Sequence, residues 1–269
     1  MRNPANASSL RRNGFVSFSS GAAIGALGGL IGLGGAEFRL PLLIGLFGFP
    51  ALEAVILNKA TSLVVVAAAL PFRAHVASFA DIAEHWRVIA NLLAGSLVGA
   101  WLGAGFAARV DSGTLHRIIA VVLAGVGALL ALGHDGSGGG AALDGASLIA
   151  AGVAAGLAIG VVASMLGVAG GELLIPTLVL LFGTDMKLAG SLSLAVSLPT
   201  MLIGFLRYSK TANFAALGEN RGFLAIMAAG SLFGAFVGGR LLGIVAEDIL
   251  RPFLAAILLG SAVKVWRSR

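Results

Sequence analysis

Apolar runs long enough to cross a bilayer recur from one end of the chain to the other, and the polar interruptions between them are short. Arg87–Ala108 and Leu148–Val168 are two such runs, each close to the ~20 residues that a helix needs to span hydrocarbon. The pattern predicts a glycine-rich helix over 15–35, a short apolar piece over 38–48, and longer helices over 52–72, 87–108 and 115–133. The same series returns over 148–168, 173–183, 187–206, 222–243 and 250–266. The two short pieces are too brief for a hydrocarbon core of about 30 Å at about 1.5 Å per residue. Each is therefore a half-helix or one arm of a re-entrant hairpin. The expected fold is an all-α polytopic membrane protein with about eight full transmembrane helices and two short segments.

The return of the series is a duplication. At an offset of 135 the halves align without gaps, and 12 of the 28 positions in Gly21–Gly48 match Gly156–Gly183. Gly95, Gly99 and Gly103 fall on Gly230, Gly234 and Gly238, and Ser62-Leu63 falls on Ser197-Leu198. These GxxxG stripes let helix backbones approach closely, either inside the protomer or at a homodimer seam. The expected organisation is a cytoplasmic tail (1–14), a first repeat (15–134), an external linker (135–147) and a second repeat (148–269). Arg2, Arg11 and Arg12 ahead of an apolar run resemble a signal peptide. Because the segment from Gly21 has a full counterpart deep in the chain, it is read as part of the fold.

Charge sets the orientation. Both ends carry Lys and Arg, whereas the linker His134–Ser147 carries none and has Asp135 and Asp144. The positive-inside tendency places both ends in the cytoplasm and the linker outside. Each half then crosses an odd number of times, and the two copies are inverted. With that topology 11 Lys and Arg residues fall inside and 5 outside, which agrees with it. Inverted repeats with broken helices meeting at a midplane site are a recurrent plan of secondary transporters.

Composition narrows the chemistry. Charged residues make up only 11 % of the chain, and because every polar interruption is short no soluble domain is expected. The net charge of +6 reports loop orientation and not nucleic-acid binding, since no basic stripe with interleaved aromatics occurs. The absence of cysteine excludes thiolate metal sites, and the four histidines are scattered. No cofactor, no metal and no enzymatic constellation is expected.

Against this apolar background, "GLGGAEFRLP" and "GVAGGELLIP" each place a glutamate four residues before a proline. Gly32, Gly34 and Gly35, and likewise Gly167, Gly170 and Gly171, make a poor continuous helix. Pro41 and Pro176 suit the first turn of a new one. The expected picture is a helix, an unwound glycine stretch carrying Glu37 or Glu172, and a short helix starting near the proline. Free N–H groups at that start favour an anion, and inversion would aim two such ends at one another. Each glutamate either caps its own helix or titrates and gates the anion path. Further candidate ligands are Asn58, Lys59, Thr61 and Ser62, with Ser191, Ser193, Ser197 and Thr200 in the second copy. Lys59 has no charged counterpart, since Leu194 holds that position. It either neutralises a substrate or pairs with Glu37. Serines of membrane helices often bond their own backbone, and Arg39 and Arg207 can be read as snorkelling side chains.

"GLIGLGGAEFRLPLL" with "NKATSLVVV", echoed by "SMLGVAGGELLIPTLVLLFG" with "SLSLAVSLPTMLIGFLRY", resembles the sulfite exporter TauE/SafE family over essentially the whole chain. The resemblance implies transport of sulfite, sulfonates such as sulfoacetate, or related sulfur oxyanions across the cytoplasmic membrane. By position it carries over Gly32, Gly35, Pro41, Thr61 and Ser62, and Gly167, Gly170, Gly171, Pro176 and Ser197. Val196 stands where the second copy would repeat Thr61. The expected partners are a small sulfur-containing anion and the lipid bilayer. The rival reading is a cation or proton transporter built on Glu37 and Glu172, followed by a non-transporting membrane assembly protein.

Overall fold

The structure, a computed structural model, describes residues 13–31, 35–73, 79–131 and 144–241, with scattered positions between 256 and 266. The described elements are helical. In chain order they are α1 (Gly14–Ile31), α2 (Ala36–Gly45), α3 (Ala51–Arg73), α4 (Phe79–Glu84), α5 (Trp86–Ala107) and α6 (Ser112–Ala131). Then come α7 (Gly145–Leu166), α8 (Gly171–Phe182), α9 (Met186–Tyr208), a 3-10 turn (Ala212–Phe214), α10 (Ala215–Glu219) and α11 (Arg221–Leu241). Among the described residues, 5 helices are long and apolar enough to cross a membrane: α3, α5, α7, α9 and α11. The chain is thus an all-helical multi-pass membrane protein. The helix expected over 250–266 lies largely outside the described residues.

Two long helix pairs hold the fold together, and each joins one half to the other. α1 runs along α11, and α5 runs along α7. Glycine makes both contacts possible. A Cβ on Gly95, Gly99 or Gly103 would run into the backbone carbonyls of Val153, Leu157 and Val161. A Cβ on Gly230, Gly234 or Gly238 would run into those of Phe18, Ala22 and Ala26. Adding 135 to each glycine of the first set and subtracting 135 from each of its partners gives the second set. Lipid tails are as apolar as the side chains, so close backbone approach of this kind replaces hydrophobic burial as the cohesive term. The GxxxG stripes are therefore occupied inside the chain and are not free for a dimer seam.

The glycine-rich breaks end one helix and start the next. Gly167 closes α7 with φ +68°, and Gly170 and Gly35 precede α8 and α2 with φ +79° and +69°. These left-handed conformations cost an L side chain about 1–2 kcal/mol and cost glycine little. They fix the helix starts at Ala36 and Gly171, so Pro41 and Pro176 lie inside α2 and α8 and not at their first turn. The reading of the prolines as half-helix starts is corrected accordingly. A proline there removes one N–H from the ladder, a loss tolerated at membrane depth where the backbone is enclosed by protein. Glu37 and Glu172 are likewise in the first helical turn and not on the unwound stretch. Gly171 is the first residue of α8. Gly32 and Gly34 lie outside the described residues.

Beyond the end of α5, Asp111 starts α6. Its carboxylate accepts from Thr114 N (2.8 Å) and from Thr114 Oγ1 (2.7 Å). These bonds to the ionised form hold the carboxyl below its ordinary range. Its capping contribution is complete above the ordinary carboxylate pKa and is lost as pH falls through the lowered value. The melting temperature in detergent of Asp111→Ala is expected to lie below that of the parent near neutrality. The gap should close in acid. A gap that persists at low pH would rule out charge-dependent capping.

Candidate functional site

α2 enters the protein with a charged residue in an apolar helix, and the helix is nearly all buried. Arg39 is fully buried, so the snorkelling reading of this residue is corrected: its guanidinium is built into a cluster and does not reach for the interface. It donates through Nη1 to Asn58 Oδ1 (3.3 Å) and Ser62 Oγ (2.9 Å), and through Nη2 to Ser231 Oγ (3.2 Å). Glu37, two residues earlier and 2 % exposed, interacts with it electrostatically. One guanidinium thus ties α2 to α3 in its own half and to α11 in the other. A planar fork with five donors can do this, and an ammonium cannot match the geometry.

Asn58 extends the cluster. Its Nδ2 donates to the carbonyl of Ala36 (3.0 Å), the first residue of α2, and to that of Leu166 (3.2 Å), the last residue of α7. A single amide therefore touches both glycine-rich breaks. Gly167 comes equally close to α3, where a Cβ would run into the carbonyl of Val55. Lys59, also buried, donates to Ser164 Oγ (3.1 Å), and its ammonium lies 6.0 Å from the centre of the Tyr208 ring. The Tyr208 hydroxyl donates to the Ser164 carbonyl (2.9 Å). Room for the ammonium comes from Gly204, where a Cβ would sit 2.7 Å from Lys59 Nζ. Of the two cations, Arg39 interacts electrostatically with Glu37.

Among the residues singled out from the sequence, Asn58, Lys59, Ser62, Gly35 and Gly167 come together here. Ser197 donates to the carbonyl of Ala169 (2.8 Å) and so braces the second unwound stretch from α9. Thr61, Ser193 and Thr200 instead bond to carbonyls of their own helices, at Leu57, Gly190 and Val196. Ser191 is buried. Glu172 occupies the second residue of α8, and its side chain lies outside what the structure describes. Arg207 is half-exposed, and its guanidinium carbon lies 4.7 Å from the centre of the Trp101 ring.

Sequence reasoning named Arg39 only as a snorkelling side chain and missed Ser164, Tyr208 and Ser231. One available signal was the register itself, since Ser231 is Ser96 shifted by 135. The two serines play matching parts: Ser96 reaches Thr200 across the halves at 2.7 Å, as Ser231 reaches Arg39. The mirror image stops at Arg39, whose counterpart Leu174 is a buried apolar residue. The buried polar residues are thus basic in one half, at Arg39 and Lys59, and hydroxyl-bearing in the other, at Ser193, Ser197 and Thr200.

Apolar spans are folded around two glycine-rich helix breaks, and two basic side chains, Arg39 and Lys59, are buried near them. The chain belongs to the sulfite exporter TauE/SafE family, whose family model matches residues 9–265, nearly the whole length. Comparison with curated proteins and with solved structures gave no match.

Proposed function

We propose that the protein is a secondary transporter that exports sulfite, organosulfonates or related sulfur oxyanions through a midplane site between the two glycine-rich breaks. One observation carries the reading: Asn58 Nδ2 bonds at once to Ala36 O in the first break and to Leu166 O in the second. The N-termini of α2 and α8 follow those breaks, and their free N–H groups favour an anion. Arg39 and Lys59 supply the positive charge. Thr61, Ser193 and Ser197 line the approach, and Glu37 and Glu172 gate it or couple it to a proton. The two halves are inverted repeats lying in the cytoplasmic membrane with both termini inside. The exchange of helix partners on adding 135 supports this pseudo-symmetry. An inside-negative potential favours export, by about 2.3 kcal/mol per unit charge per 100 mV.

The test is flux from liposomes loaded with sulfite or sulfoacetate, under a potential of either sign, for the parent and for Glu37→Gln/Glu172→Gln. Anion flux that follows the potential, with an altered pH dependence in the double variant, is the expected result. Flux that is intact and unaltered in the variant would make both glutamates helix caps. Cation flux with no movement of any sulfur anion would replace this reading by the cation transporter.

A further inference from the structure

A second cationic cluster lies apart from the buried one, where α5 and α9 pack together. Arg207 Cζ is 4.7 Å and Lys210 Nζ is 5.2 Å from the centre of the same Trp101 ring. The two charges are therefore no more than about 10 Å apart, comparable to the screening length of about 8 Å in physiological salt. Neither forms an ion pair among the described residues. Their repulsion is met only by the face of one indole. The arrangement is nevertheless fixed: Gly105, one turn beyond Trp101, leaves the notch in which the guanidinium sits, and a Cβ there would approach its Nε to 3.2 Å.

The surroundings name the partner. Arg207 and Tyr208 end the span Leu188–Tyr208, and Trp101 lies in the last two turns of the span Trp86–Ala107. Tryptophan and basic side chains at span ends belong to the headgroup level of a bilayer. Running from the cluster along the same two helices, Val98, Leu102, Phe106, Leu202 and Leu206 are exposed, each by 48–56 %. Two cations with no ion pair among the described residues, an indole, and an adjoining exposed apolar strip together match one amphiphile. We infer that Trp101, Arg207 and Lys210 bind the headgroup of an anionic phospholipid, whose acyl chains lie on that strip. The phosphate sits between the cations, and the positive-inside count places the site in the cytoplasmic leaflet, where anionic lipid attracts basic side chains.

The chain has three tryptophans, so Trp86→Phe/Trp266→Phe leaves Trp101 as the sole indole reporter. In lipid nanodiscs, brominated phosphatidylglycerol is expected to half-quench Trp101 at a several-fold lower mole fraction than brominated phosphatidylcholine. Adding Arg207→Gln/Lys210→Gln should remove the difference, whereas Arg207→Lys, which keeps the charge, should preserve it. An unchanged melting temperature would show that the glutamine variant is folded. Equal quenching by the two lipids in the reporter protein would overturn the assignment, as would a preference that survives the glutamine pair. If soluble inorganic phosphate at fixed ionic strength protects Trp101 while lipid charge makes no difference, the cluster is a free-anion site and the lipid assignment is wrong. None of these readouts depends on transport.

Discussion

Replacing Arg39 with methionine is expected to cut anion flux at least tenfold and to lower the melting temperature by about 10 °C or more. Methionine keeps most of the volume and removes the charge and the donors. Three hydrogen bonds are lost, to Asn58, Ser62 and Ser231. Interhelical bonds in membranes average only about 0.6 kcal/mol, so together they account for about 2 kcal/mol. The larger cost is electrostatic, because Glu37 loses the cation it interacts with while staying buried. Breaking a buried pair on one side typically costs about 3–5 kcal/mol. The charge, not the hydrogen-bond count, thus decides the outcome. This yields a separable test in the double variant Arg39→Met/Glu37→Gln. It should recover most of the lost melting temperature, since Glu37 no longer leaves an uncompensated carboxylate inside, while flux stays low because the site has lost a cation. If Arg39→Met alone leaves both quantities near the parent, the cluster neither holds the fold nor binds the substrate. If the double variant is as unstable as the single one, the hydrogen bonds dominate and the electrostatic account is wrong.

Arg39 also marks where local sequence stops being informative. The helix boundaries were legible because apolar runs and glycine clusters are local signals: the segments expected over 87–108 and 187–206 appear as Trp86–Ala107 and Met186–Tyr208. The stripes Gly95/Gly99/Gly103 and Gly230/Gly234/Gly238 were legible as close-packing faces, yet their partners were not. Those partners lie in the opposite half, on α7 and α1. The buried state of Arg39 depends on Ser231, which is 192 residues away. Taken within its own segment, an arginine three residues into an apolar run looks the same whether it snorkels or is enclosed. The prolines misled for a different reason. Position N1 favours proline statistically, but here the helix start is set by left-handed glycines at 35 and 170, which commit the backbone six residues earlier. Asn58 and Lys59 stood out because a polar pair inside an apolar helix is rare. Thr61 and Ser193 stood out on the same ground, and their hydrogen bonds go to their own helices.

Gly99→Ala is expected to destabilise the protein by about 1–3 kcal/mol, and Gly99→Leu to prevent accumulation of folded protein. The added Cβ at Gly99 falls on the carbonyl of Leu157, with its carbonyl carbon 2.9 Å away. These are backbone atoms of a packed helix, so no side-chain rotation relieves the contact, and α5 must move off α7 as a body. Helix propensity pulls the other way, since alanine is favoured over glycine by about 1 kcal/mol in a helix interior. Gly125 in α6 isolates that term, because a Cβ there meets nothing within 4 Å. Gly125→Ala should therefore be neutral or mildly stabilising, and the opposite signs at the two sites separate packing from propensity. Gly234→Ala extends the comparison to the other half. Its Cβ would lie 2.7 Å from the carbonyl carbon of Ala22, the counterpart of Leu157 at an offset of 135. Thermal melting in detergent should give similar losses at Gly99 and Gly234 if the two helix pairs carry equal shares of the fold. Should Gly99→Ala prove as mild as Gly125→Ala, close backbone approach is not what joins α5 to α7. A large loss at only one of the two stripes would mean that the pseudo-symmetry of the contacts does not extend to their energies, and that one cross-half pair anchors the bundle while the other is free to shift.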